Sequence, residues 1–163
     1  MKLIGIDPGS HATGYGIIEL ENDNPRVVKK GVIKISSKID RYERIAMLYH
    51  QIADILSEHK PECAAIEDSF YYKNAKTALI LGQVKGIIIL ALQENNCKIY
   101  EFSPLEIKRA VVGYGLATKE QVQLMITRLF KIDFTALSYD CSDAIAAALC
   151  LSNSIKLLRL TAG

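Results

Sequence analysis

KLIGIDPGSHATGYGIIEL, residues 2–20, is the stretch whose pattern decides the fold. Lys2 to Ile6 is a short apolar run of the kind that forms a buried strand, and it stops at an acid, Asp7. Pro8 and Gly9 then turn the chain sharply, because proline presets φ and glycine accepts backbone angles closed to other residues. Thr13 to Leu20 reads as a second strand, and Gly14 and Gly16 inside it mark a close approach of another backbone. Asn22 to Pro25 is a polar turn, and Val27 to Ile35 alternates well enough for a third strand. Three strands in succession predict an antiparallel meander.

Beyond the meander the period changes. From Arg41 to His59 the apolar residues Ile45, Leu48, Ile52, Ile55 and Leu56 share one helical face, and Pro61 follows the end. Cys63 to Ile66 is a short apolar run, suited to a central strand, that stops at Glu67. Asn74 to Glu94 is a second long helix, and Cys97 to Phe102 a fifth strand. Ser103 or Pro104 opens a short helix, with Glu106 at capping-box spacing from Ser103, and Gly113-Tyr114-Gly115 breaks it. Thr118 caps a helix reaching about Phe130, and Tyr139 to Leu160 forms the last. A meander followed by strand–helix–strand crossovers predicts an α/β fold, a mixed five-stranded sheet flanked by helices, in a single domain over residues 1–163.

Composition agrees with one packed core: half of the 163 residues are hydrophobic and 23% are charged, which is globular rather than disordered. A formal charge of +2 neither requires nor excludes a polyanionic partner; the placement of the cations decides. Cys63, Cys97, Cys141 and Cys150 form no CxxC pair and lack histidines at ligand spacing, so they read as buried thiols rather than a zinc site. Asp7 interrupts any apolar leader, so no signal peptide is expected. Ala78 to Leu92 carries Gln83 and Lys85 and is expected to be too short and too polar to span a bilayer. A cytoplasmic location follows as the expectation.

Four acids stand out by position. Asp7 ends the first strand, Glu67 ends the fourth, and Asp140 and Asp143 lie three apart at the start of the last helix, on one face. If the first and fourth strands are neighbours, Asp7 and Glu67 emerge side by side, and the last helix can bring its two acids to them. Converging carboxylates repel, and hard divalent cations with oxygen ligands, Mg²⁺ or Mn²⁺, are the natural counterions. Two ions roughly 4 Å apart can bracket a phosphodiester. Each acid alone has a plainer reading: Asp-Pro-Gly as a turn, Glu67-Asp68 as a solvated strand end, Asp140 as an N-cap and Asp143 as a first-turn acid. Only their combination at element ends points to chemistry.

Four blocks, in order, resemble the bacterial RuvC family of Holliday-junction resolvases: GIDPGSHATGYG at 5–16, IEDSFYYKNAKTALILGQVKG at 66–86, PLEIKRAVVGYGLATKEQVQLMI at 104–126 and SYDCSDAIAAALC at 138–150. The resemblance implies a ribonuclease-H-like fold and a homodimer that nicks two strands of like polarity symmetrically in a four-way DNA junction, at a short T-rich site. It also implies divalent metal, most simply two Mg²⁺ ions per subunit held by Asp7, Glu67, Asp140 and Asp143, and the branch-migration proteins RuvA and RuvB as partners. Cys141 and Ser142 stand where the family usually has small apolar residues, and Ser69 where an aliphatic residue is common; none removes a ligand.

Candidate DNA contacts follow. Phe70, Tyr71 and Tyr72 come directly after the Glu67 strand end; one can stack on an unpaired base, worth about 1–3 kcal/mol, or pack inward, and the resemblance points to Phe70. It singles out Lys108 and Lys119 as close to the scissile phosphate. Lys73, Lys76 and Arg109 are further phosphate candidates, each with the solvated-cation reading equally open, as it is for Lys85. His11 is a loop histidine that can approach a phosphate, and Gly113-Tyr114-Gly115 is a DNA clamp or only a turn. Ala78, Gly82 and Gly86 recur every four residues, a smooth stripe for the chain's own sheet or for a two-fold partner. Rival readings are an actin-like sugar kinase, for which one short domain is insufficient, a nuclease of RNA–DNA hybrids or an RNA-directed YqgF-type relative, and a junction-binding module without catalysis, which would not need four acids.

Overall fold

Strand β1 (Lys2–Asp7) pairs antiparallel with β2 (Ala12–Glu21), and β2 with β3 (Asn24–Lys34). β4 (Cys63–Glu67) runs parallel to β1, and β5 (Lys98–Phe102) parallel to β4. The five-stranded order is β3-β2-β1-β4-β5, the mixed sheet expected from the sequence. The helices are α1 (Arg41–His59), α2 (Ala75–Glu94), α3 (Pro104–Val112), α4 (Lys119–Phe130) and α5 (Tyr139–Thr161). This computed structural model describes residues 1–68 and 74–161.

Local chemistry accounts for most boundaries. Asp40 caps α1, accepting from the Tyr42 and Glu43 amides, and Lys60 closes it in a left-handed conformation. Ser103–Glu106 and Thr118–Gln121 both form reciprocal capping boxes. The β2–β3 connection is tighter than the polar turn read from Asn22 to Pro25: Asn22 and Asp23 both have positive φ, 49° and 64°, and β3 already begins at Asn24. Consecutive left-handed residues make the hairpin turn whose twist matches the strands, and Pro25 is tolerated because β3 is an edge strand.

Two apolar layers sandwich the sheet. One face packs on α1 and α2 through Ile4, Ile6, Ile17, Ile52, Ile66 and Ile88. The other packs on α3, α4 and above all α5, whose Ala146, Ala147 and Ala148 are buried against Leu3, Ile18 and Ala65. Small residues let α5 lie directly on the sheet backbone. A Cβ on Gly5 would stand 1.9 Å from the Ala144 carbonyl oxygen, and one on Gly14 would stand 2.0 Å from that of Asp140. Gly14→Ala is therefore expected to lift the start of α5 off β2, at an overpacking cost of at least ~1–3 kcal/mol. A lowered melting temperature in thermal denaturation checks it; an unchanged one would mean that the helix yields freely.

By length and composition α2 and α5 could each cross a membrane, with mean hydropathies of 1.7 and 1.3. This corrects the expectation for the second helix, which at 20 residues is longer than the Ala78–Leu92 stretch and stays apolar on average despite Gln83 and Lys85. α5 is a core helix, with twelve buried residues. α2 buries only Val84, Ile88, Ala91 and Leu92. Gly82 and Gly86 are exposed and a Cβ on either would meet nothing within 4 Å, so the small-residue stripe does not serve packing on the chain's own sheet.

Candidate active site

Because β1 and β4 are parallel neighbours with Ile6 opposite Ile66, Asp7 and Glu67 leave the sheet side by side. The last helix begins over Gly14, one strand away. Its first turn is capped by Ser138, whose hydroxyl accepts from the Cys141 amide at 3.3 Å and whose carbonyl accepts from the Ser142 amide at 2.9 Å. This displaces the capping role read for Asp140, which sits inside the helix with its carboxylate free of that duty.

Asp7, Glu67 and Asp143 line one cavity with Lys108, Lys119, Pro104, Ile107 and Val122. The Lys119 ammonium pairs with Asp143 at 2.9 Å. The Asp7 carboxyl is raised from 3.8 to about 7, first by burial, then by the charges of Asp143 and Glu67, against a lowering by Lys119 and with a smaller push from Asp140. The hydrogen bond to Asp143 holds the Lys119 ammonium above its usual range against its own desolvation, helped by the charges of Asp143, Asp7 and Glu67. Among the described residues no three His, Cys, Asp or Glu side chains already stand as a finished metal cage. The donor chemistry nevertheless fits a hard cation: partly buried carboxylates converge, and one of them is driven toward neutrality by burial and by its neighbours, a strain that positive charge relieves.

The cations divide. Lys108 and Lys119 face the acids from α3 and α4. Arg109, one helical step of about 100° further round α3, lines a separate groove with Phe102, Glu106, Cys150 and Leu157. Lys76 is exposed in the first turn of α2. Lys85 is held by Asp68 at 2.9 Å and Glu101 at 2.5 Å, so it braces the exit of β4 rather than standing as a free cation. Ser69, Phe70, Tyr71, Tyr72 and Lys73 lie outside the described residues. His11 is exposed and its Nδ1 lies 2.9 Å from the Ser10 hydroxyl. Gly113 ends α3 with φ 89°, the helix-breaking role, and leaves Tyr114 exposed.

Arg44, which sequence reasoning passed over, supports the site, and Ser142, read there only as a departure between the last acids, sits within it. Arg44 donates to the Ser10 carbonyl at 2.7 Å and so tethers the Pro8–His11 loop to α1. Ser142, between the acids, is fully buried and its hydroxyl has no hydrogen-bond partner. A buried unmet hydroxyl costs about 1–3 kcal/mol, so Ser142→Ala is expected to raise stability by about 1 kcal/mol, a gain of about 2–4 °C in melting temperature for a domain of this size. A loss of stability would show that the hydroxyl is satisfied. Nearby Cys141 is buried, and its thiol points to the Tyr15 carbonyl at 3.8 Å. All four cysteines are free and buried; burial pushes the Cys97 thiol up to about 12 and the Cys150 thiol to about 11, which leaves both unreactive.

A five-stranded mixed sheet with acids at the adjacent ends of its first and fourth strands, and at the start of the helix crossing them, is the arrangement that metal-dependent, carboxylate-based nucleases require. The family profile described as crossover junction endodeoxyribonuclease RuvC matches residues 3–151. The RuvC of Caldanaerobacter subterraneus is 41% identical over 158 residues, covering 97% of this chain and 96% of that one; that of Caldicellulosiruptor saccharolyticus is 41% identical over 151 residues, covering 92% and 91%. Among solved structures, Thermus thermophilus RuvC in complex with a Holliday-junction substrate superposes with a TM-score of 0.85 at 28% identity, over 92% of each chain. The chain belongs to the RuvC family.

Proposed function

We propose that this protein is a crossover junction endodeoxyribonuclease that resolves four-way DNA junctions in recombination and repair by metal-dependent phosphodiester hydrolysis. The observation that carries the reading is the single cavity lined by Asp7, Glu67, Asp143, Lys108 and Lys119, with the Asp7 carboxyl raised to about 7 by burial and by its acidic neighbours. Asp7, Glu67, Asp140 and Asp143 would hold Mg²⁺, or Mn²⁺ in its place, with two ions per subunit. When bound, such ions supply an activated water and stabilise the leaving 3′ oxygen. The chain's own side chains position the reaction. Glu67 and Asp7 project from adjacent strand ends whose register is fixed by the β1–β4 pairing. Lys119 balances the acids through Asp143 and is placed to meet a phosphate oxygen in the same cavity. Lys108 approaches from the α3 side.

Phe70, Lys73, Lys76 and Arg109 would contact DNA, Phe70 by stacking on an unpaired base. A homodimer fits the open positions of Gly82 and Gly86 and the exposed Leu79 and Leu90 of α2, because a two-fold partner would cover the face that the sheet does not. Two matched sites would then make paired nicks in strands of like polarity. RuvA and RuvB are the expected partners, in the cytoplasm. The reading is tested by competition binding in EDTA, using a labelled four-way junction against unlabelled linear duplex and RNA–DNA hybrid of equal length. Displacement by neither competitor is expected; displacement by hybrid at equal concentration would move the function to RNA-containing substrates.

A further inference from the structure

Across β2 from the acid-bearing end of β1, the edge strand β3 carries cations. The register settles where they point. Gly14 and Gly16 face α5, whose backbone and Ile145 side chain occupy the space of their missing Cβ atoms. Their cross-strand partners are Val32 and Lys30, and Lys34 is paired with Ala12, so Lys30, Val32 and Lys34 share the α5 face of β3. Val32 packs into the α5 layer between the two lysines. Lys29, by contrast, is paired with Ile17, which belongs to the opposite layer, so it points to the other face.

Lys30 and Lys34 therefore flank the first turn of α5, the turn that carries Asp140. The charge of Lys30 is felt there: burial pushes the Cys141 thiol up, and Lys30 is the next influence, pulling it back. Neither lysine forms an ion pair among the described residues, whereas Lys119, Lys85, Arg26 and Arg159 all do. Lys34 is exposed and Lys30 partly so. Four residues of strand separate them by about 13 Å, close to the axial rise of about four nucleotides of one DNA strand.

We infer that Lys30 and Lys34 form a second phosphate-binding bank, gripping the DNA backbone on the β3 side of the acids while Lys108 and Lys119 grip it on the α3–α4 side. A polyanion laid across a cluster of carboxylates needs positive charge on both flanks, and the two banks stand on either side of the start of α5. This rests on the nuclease reading above. Their contact is with phosphates away from the scissile one, so the bank contributes affinity and its salt dependence rather than chemistry.

The test is the affinity of the full-length protein for a four-way junction in EDTA, measured by fluorescence anisotropy from 50 to 300 mM NaCl. Each phosphate contact on duplex contributes about 0.9 to the slope of log affinity against log salt. The double variant Lys30→Gln/Lys34→Gln is expected to flatten the slope by about 2 per bound chain and to weaken binding at least tenfold at low salt. Lys29→Gln, on the same strand but the opposite face, is expected to keep the wild-type slope. A double variant with wild-type slope and affinity overturns the inference, even if it aggregates more readily, because lysines on an edge strand also serve to discourage strand pairing. Wild-type protein that shows no affinity for the junction would overturn the functional reading itself, and this inference with it.

Discussion

Asp7→Asn is expected to abolish cleavage of a four-way junction while leaving junction binding intact, because it removes a charge required to hold metal and not a contact to DNA. Parallel loss of binding would instead give Asp7 a structural role. The same substitution has a signature without metal. The folded-state value for Asp7, about 7, lies above its ordinary 3.8. The native protein therefore binds more protons than the unfolded chain across that window, and stability falls as pH rises from about 4 to about 7. Above it the whole penalty stands: a ceiling of ~4 kcal/mol at about 1.4 kcal/mol per unit, which partial solvent access trims to about 2 kcal/mol. In EDTA the Asn variant is thus expected to be more stable than wild type at pH 8 and equal to it near pH 4. Denaturant titrations at the two pH values measure this; an equal difference at both would contradict the burial and repulsion assigned to Asp7.

Lys119→Ala is expected to lower the single-turnover cleavage rate by about 10²–10³-fold, the usual loss when one positioned electrostatic group is removed from a reacting centre. Among the described residues Lys119 is the cation that draws the Asp7 carboxyl back down, and it pairs directly with Asp143. Removing it takes a positive charge from the phosphate and leaves the acids less compensated. An unchanged rate at saturating DNA and metal would remove Lys119 from the chemistry and leave it a partner of Asp143 only.

Much of this architecture is readable before any coordinates, for identifiable reasons. The bounds of α1 are set by an apolar face of period 3.6 and by Asp40 and Lys60 at its ends. Both capping boxes are local, and so is the stop of β1 and β4 at an acid. Gly14 and Gly16 announce a close backbone approach, but what approaches is more than a hundred residues away, and no local pattern says that α5 begins over Gly14. The same limit hides the cap of α5: Asp140 is a good capping residue by type, yet Ser138 takes that place because the helix begins at Tyr139. Lys85 and Lys119 look alike as surface lysines, and only the tertiary contacts separate a brace on Asp68 and Glu101 from a counter-charge to Asp143. Neighbours one position apart, Lys108 and Arg109, diverge because a helix turns by about 100° per residue, which sends the arginine to another groove.

Asp7, Glu67, Asp140 and Asp143 are proposed to form one metal-dependent centre that cuts junction DNA. The most direct measurement maps nicks on a mobile four-way junction labelled in turn on each strand, in Mg²⁺ and in EDTA, with linear duplex and RNA–DNA hybrid alongside. The account predicts paired nicks at symmetric positions in two strands of like polarity, on the junction alone and only with Mg²⁺; cleavage confined to the hybrid, or junction binding with no nick in Mg²⁺, would contradict it.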